Sequence, residues 1–164
     1  IEENASDIAR ENYEKNKTPG RQVENEPTYP GPNPPSGVDL AKDPQVRKAL
    51  EDAWQDSKPG TGPEERHEEG GRIYREPETG KILIKRQTDP KAKGMKTIDI
   101  DSMPPVPGYD LIAEFHTHPN PLREGKRAFF QGPSPADRDA ANRQGIPGIV
   151  RSNYGIHVYG PNSW

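Results

Sequence analysis

Asp110-Leu111-Ile112-Ala113-Glu114-Phe115-His116-Thr117-His118 is the stretch that organises the reading of this chain. It opens on a nearly continuous apolar run and ends on two histidines spaced two apart, as a strand with one covered face requires. Working outward, Gly71–Glu76 and Lys81–Arg86 read as two strands joined by Pro77-Glu78-Thr79-Gly80, whose residues supply turn chemistry, so a hairpin precedes the long strand. Lys96–Ile100 alternates and is read as a short strand. Ser134-Pro135 opens a predicted helix over 134–144, and strands are expected at Gly148–Arg151 and Ile156–Tyr159 around Asn153-Tyr154-Gly155. Upstream, Asp43-Pro44 supplies an N-cap and a first turn. Val46, Leu50, Ala53 and Trp54 then recur at helical spacing up to Pro59-Gly60, predicting a helix over 44–57 with Trp54 in the core. The order α, β, β, β, β, α, β, β implies an α/β (α+β) fold, with a mixed, largely antiparallel sheet and two main helices.

Composition narrows the rest. Only 28% of the 164 residues are hydrophobic, there are 16 Gly and 20 Pro, and mean hydropathy is −1.13. Ordinary globular domains are roughly 45–50% apolar with Gly counted. A small core is therefore expected, with residues 1–42 as a polar, proline-rich leader and residues 43–164 as the folded domain. Ile1–Lys17 could form only a short helix stabilised by docking, and Thr18–Gly37, with six prolines, reads as extended linker. No apolar run approaches the ~18 residues of a membrane span, and no signal peptide is visible. The absence of cysteine excludes disulfides, thiolate metal sites and a cysteine nucleophile. A net charge of −3 argues against a dedicated nucleic-acid partner.

Chemistry concentrates in one constellation. On a strand His116 and His118 point to one face and present two imidazoles side by side, a metal-chelating arrangement. Asp137, in the first turn of the helix that follows, is the third candidate ligand. The bland reading of Ser134-x-x-Asp137 is a capping box, and that of the histidines is a surface pair. A hydrolytic metal also needs a general base, and two histidines with one aspartate do not supply it. Upstream, Glu68 and Glu69 stand immediately before Gly70-Gly71, whose missing side chains permit close backbone approach. By itself, Glu64–Glu69 is a solvated charge run. Glu114 shares the face of His116 and ranks below Glu68. His67 is either a partner of Glu68 or a surface residue, and His157 is expected to face solvent.

Glu68-x-Gly70-Gly71, His116-x-His118-Pro119 and Ser134-x-x-Asp137 together resemble the JAMM signature of the JAB/MPN metallopeptidases, over about residues 43–160. The resemblance implies a cytidine-deaminase-like JAB/MPN architecture. It implies Zn2+ bound by His116, His118 and Asp137, Glu68 as acid/base on the attacking water, and Ser134 holding the water or the developing oxyanion. It further implies a zinc metallopeptidase that cleaves peptide or isopeptide bonds in a protein or peptide substrate. Glu68 is preferred to Glu69 because Gly71 then falls where the family places a Gly after its Glu.

The segment between the second His and the Ser, residues 119–133, is longer than in the family and carries Arg123, Lys126, Arg127, Phe129 and Phe130. Phe129 and Phe130 are the candidate substrate-binding residues, as a clamp or lid, unless they fold back on the core. More narrowly, the Glu-Gly-Gly and Pro-Ser-Pro-Ala-Asp forms resemble bacterial JAB-like domains of polymorphic toxins and effectors. That branch implies delivery as part of a larger secreted protein, with a cognate immunity protein or delivery partner. A non-catalytic binding module of the same fold and a metal-dependent nuclease are the competing functions.

Overall fold

The computed structural model describes residues 26–93 and 96–164. The elements are α1 (Gly37–Lys42), α2 (Pro44–Asp56), β1 (Gly70–Arg75), β2 (Ile82–Arg86), β3 (Asp110–His118), β4 (Arg123–Glu124), β5 (Arg127–Ala128), α3 (Pro135–Gln144), β6 (Gly148–Ser152) and β7 (Gly155–Tyr159). A mixed five-stranded sheet runs β2-β1-β3-β6-β7, with only β3 and β6 parallel, and β4 and β5 form a separate hairpin. The class is α+β, as the element order predicts. The helix expected over 44–57, the hairpin, the long strand, the helix over 134–144 and the closing strand pair all form within a residue of the expected ends.

α2 starts where its cap chemistry dictates. Asp43 Oδ1 accepts from Gln45 N at 2.8 Å and Val46 N at 3.2 Å, with Pro44 at the first helical position. The helix lays Val46, Leu50 and Ala53 against Ile73, Ala113, Phe115 and Ile149 of the sheet. Trp54 is buried as expected, with the Arg151 guanidinium 4.4 Å above its ring. Alternation along β3 then sends Glu114, His116 and His118 to the opposite face. There α3 covers the sheet, Ala141 packing with Val150 and Tyr159.

One expectation is corrected. Residues 96–100 join no ladder: Ile98 N donates to the Glu68 carboxylate, and Ile98 and Ile100 turn inward while the segment borders a cleft. Its alternation reflects that half-buried border. The leader, expected to be largely unstructured or docked, is docked where it is described, over residues 26–42. Ser36 and Asp39 form a capping box that starts α1, and Leu40 reaches the core. Arg75 Nη1 donates to the carbonyls of Tyr29, Gly31 and Asn33, fastening the proline-rich segment to β1. The short helix anticipated within 1–17 lies outside the described residues.

β1 is wedged between β3 and β2, and its paired glycines are a steric requirement. A Cβ on Gly70 would overlap the Phe115 carbonyl oxygen and come within 2.9 Å of His116 Cα, and one on Gly71 would overlap the Lys85 carbonyl. Gly70→Ala is expected to destabilise the fold by about 2–3 kcal/mol in urea denaturation, because the obstructing atoms are backbone. Gly62→Ala, which meets no neighbour within 4 Å, is the control expected to change little. Equal stability of the two variants would contradict this packing.

Candidate metal centre

β3 is the middle strand of the sheet, hydrogen-bonded to β1 on one side and β6 on the other, so its histidines stand on a fixed platform. Both are at least nine-tenths buried. A directional relay pins the strand from behind. Glu69 N–H donates to Thr117 Oγ1 at 3.0 Å, Thr117 contacts Ser57 Oγ, and Ser57 donates to the Ala53 carbonyl at 2.8 Å. Since the single Ser57 proton goes to Ala53, the Thr117 proton goes to Ser57. The relay ties the end of α2, the central strand and the Glu68-Glu69 segment into one unit.

The carboxylate arrives from α3. Ser134 is the N-cap: its Oγ accepts from Asp137 N at 3.1 Å, and Asp137 Oδ2 accepts from Ser134 N at 2.9 Å. The capping-box reading is therefore correct, and it coexists with the metal reading. The same Oδ2 stands 3.3 Å from His116 Nε2 and 3.4 Å from His118 Nε2, which are 3.1 Å from each other.

These three atoms form a nearly equilateral triangle. Tetrahedral zinc with ligands at about 2.0–2.1 Å places neighbouring ligand atoms about 3.3 Å apart, the length of these edges. Two imidazole nitrogens and one carboxylate oxygen are also the donor set of a hydrolytic zinc with an open position. His116, His118 and Asp137 thus form a group able to hold a metal ion.

Charge is balanced accordingly. Burial works against ionisation of Asp137, but hydrogen bonds from both histidines, the His116 charge and the Ser134 N–H hold the carboxyl well below its usual range. Burial disfavours the charged form of His116, and Asp137, with smaller contributions from Glu68 and Glu114, outweighs it and raises the pKa.

Glu68 and Glu69 part company here, as alternation demands. Glu68 Oε1 lies 3.6 Å from His118 Nε2, and Oε2 accepts from Ile98 N at 3.1 Å. Burial raises the Glu68 pKa, with the two histidines and Ile98 N–H offsetting only part of the effect. Glu69 points to the other face and is buried between His67 at 3.1 Å and Arg86 at 3.4 Å. His67 accordingly partners Glu69 and not Glu68. Glu114 is engaged by Arg72 at 3.1 Å, which explains why it contributes no ligand despite its place two residues before His116. His157 is half-buried, not solvent-facing: it bonds Ser152 Oγ at 3.0 Å and packs on Gly132.

A cavity of about 590 Å³ opens over the triangle, bordered by Glu68, Ser134, Phe129 and Phe130. The Ser134 hydroxyl accepts the cap bond but donates to no group among the described residues. Residues 119–133 fold into the β4–β5 hairpin at the cavity edge. Neither phenylalanine turns back into the core: Phe129 is half-buried beneath Arg127, and Phe130 is 61% exposed. The hairpin is held by Arg66, which sequence reasoning passed over in a charge run. Its buried guanidinium bonds Glu124 at 2.6 Å, Asn120 at 3.1 Å and the Thr61 carbonyl. Tyr159 was also missed. Its ring lies over Gly148, where any Cβ would strike the phenol, and meets His116 edge-on at 6.5 Å between centroids. Both are long-range contacts with no local pattern to announce them.

Comparison with family models, with curated proteins and with solved structures finds no match to this chain. Among the described residues, no helix is long and apolar enough to cross a membrane.

Metal binding is expected at one ion per chain, lost on His116→Ala and reduced at least about 100-fold in Asp137→Asn, as read by chelator competition. Binding that survives both substitutions would contradict the site. The ion must displace the proton of His116, whose pKa is raised, so affinity is expected to fall about tenfold per pH unit from above the ordinary imidazole value of about 6.5 downward. A pH-independent affinity between pH 8 and about 6 would contradict that competition.

Proposed function

We propose that this protein is a zinc-dependent hydrolase of the JAMM type that cleaves peptide or isopeptide bonds in a protein or peptide substrate. The observation that carries the reading is the triangle of His116 Nε2, His118 Nε2 and Asp137 Oδ2 with the Glu68 carboxylate 3.6 Å from one corner. A helix before the Glu-bearing hairpin, the histidine pair on the central strand and the aspartate in the next helix follow the order that the JAB/MPN resemblance implies. The β4–β5 hairpin is an addition to that pattern.

Zinc held by the three side chains would polarise the scissile carbonyl and acidify water at its open position. The rest falls to this chain's own groups. Glu68, desolvated and with a raised pKa, is poised to take a proton from the attacking water on its carboxylate and return it to the leaving nitrogen. Ile98 N–H holds the other carboxylate oxygen and keeps Oε1 turned toward the histidines. The Ser134 hydroxyl, at the cavity wall with an uncommitted proton, can donate to the oxyanion that develops on the carbonyl. Phe129 and Phe130 offer the substrate apolar contact and narrow the access of bulk water.

Zinc-loaded protein incubated with mixtures of quenched peptides and isopeptide-linked conjugates is expected to cleave a subset of them. Glu68→Gln should lower the rate by about 10²–10⁴-fold while zinc content and thermal unfolding stay unchanged. An equally active Glu68→Gln, or wild-type protein that takes up no zinc, would overturn the reading.

A further inference from the structure

The cavity lies over the C-terminal half of β3. Glu114, His116 and His118 succeed one another along its floor, and the strand spans about 13 Å between Glu114 and His118. Residues 96–101 form one long wall, with Lys96 toward the His118 end, Ile98 beside Glu68, and Asp101 toward the Glu114 end. The two ends differ in charge.

At each end one ion pair neutralises itself. Arg66 is spent on Glu124 at the hairpin end, and Glu114 on Arg72 at the other. What is left beyond these pairs is of one sign at each end. Lys96 and Arg127, both exposed, stand at the hairpin end. Asp101, also exposed, stands at the Glu114 end, where it is 4.0 Å from Arg72 and accepts from Gln144, so that Glu114 and Asp101 share a single guanidinium. Among the described residues of the cavity, two cations thus stand on one side of the metal triangle, and on the other a carboxylate pair that one guanidinium only half neutralises. Ile98, Ile100 and Ala140 between them give the aliphatic part of a side chain an apolar bed.

We infer that the groove takes an extended peptide segment with a cationic side chain on one side of the scissile amide and an anionic one on the other. The cation would lie at Asp101 and the anion at Lys96 and Arg127. This deepens the hydrolase reading and rests on it for the position of the cleaved bond. The polarity itself is a property of the groove and is open to measurement by binding alone.

The test uses the zinc-loaded Glu68→Gln protein and four blocked heptapeptides of Ala and Gly, with Lys or Glu at the second and sixth positions. One of the two oppositely charged peptides is expected to bind about tenfold more tightly than either same-charge peptide, with the difference shrinking as salt is raised. Adding Lys96→Glu and Arg127→Glu, both at exposed positions, should move the preference to the doubly basic peptide. Four affinities within about twofold, or an unchanged ranking in the charge-reversed protein, would overturn the proposal. Wild-type protein that binds the preferred peptide and leaves it and longer versions intact would count against the hydrolase reading while the groove polarity stands.

Discussion

One carboxylate oxygen carries two obligations in this protein. Asp137 Oδ2 closes the capping box at the start of α3 and also faces both imidazoles of β3. The helix cannot begin elsewhere without withdrawing that oxygen, and the oxygen cannot turn away without uncapping the helix. Ser134 joins in the same constraint, since its hydroxyl accepts the amide of Asp137. A cap contributes only about 1 kcal/mol, but here it removes the rotational freedom that a metal ligand would otherwise have to lose on binding.

The opposing half of the triangle is held with equal economy. Side-chain alternation on a central strand presents His116 and His118 together, and the same alternation gives Thr117 to the relay that ends on α2. It also separates Glu68 from Glu69, putting one carboxylate against the histidines and burying the other with Arg86 and His67. Gly70 and Gly71 allow β1 to lie close enough for Glu68 to stand over β3. In a chain with 28% hydrophobic residues, much of the order at this site comes from hydrogen bonds and sterics.

The local part of this design was legible in the sequence. A histidine pair two apart on a strand, Ser-x-x-Asp at a helix start, Asp43-Pro44 and the Pro77–Gly80 turn all express short-range geometry, and each takes its expected form. What escaped was nonlocal. Arg66 looked like one charge among several, although its partner Glu124 lies 58 residues on. Tyr159 over Gly148 depends on strand pairing, and residues 96–100 alternate because they border a groove. The cap and the ligand are rival readings of Asp137 in the sequence, yet the same carboxylate oxygen that caps the helix also faces both imidazoles.

The most direct test is an anomalous difference map from crystals grown with zinc, recorded on both sides of the zinc absorption edge. The account predicts a single strong peak about 2 Å from His116 Nε2, His118 Nε2 and Asp137 Oδ2, with Glu68 beside it but outside coordination. An empty triangle with zinc bound elsewhere, or a peak ligated by Glu69, would contradict it.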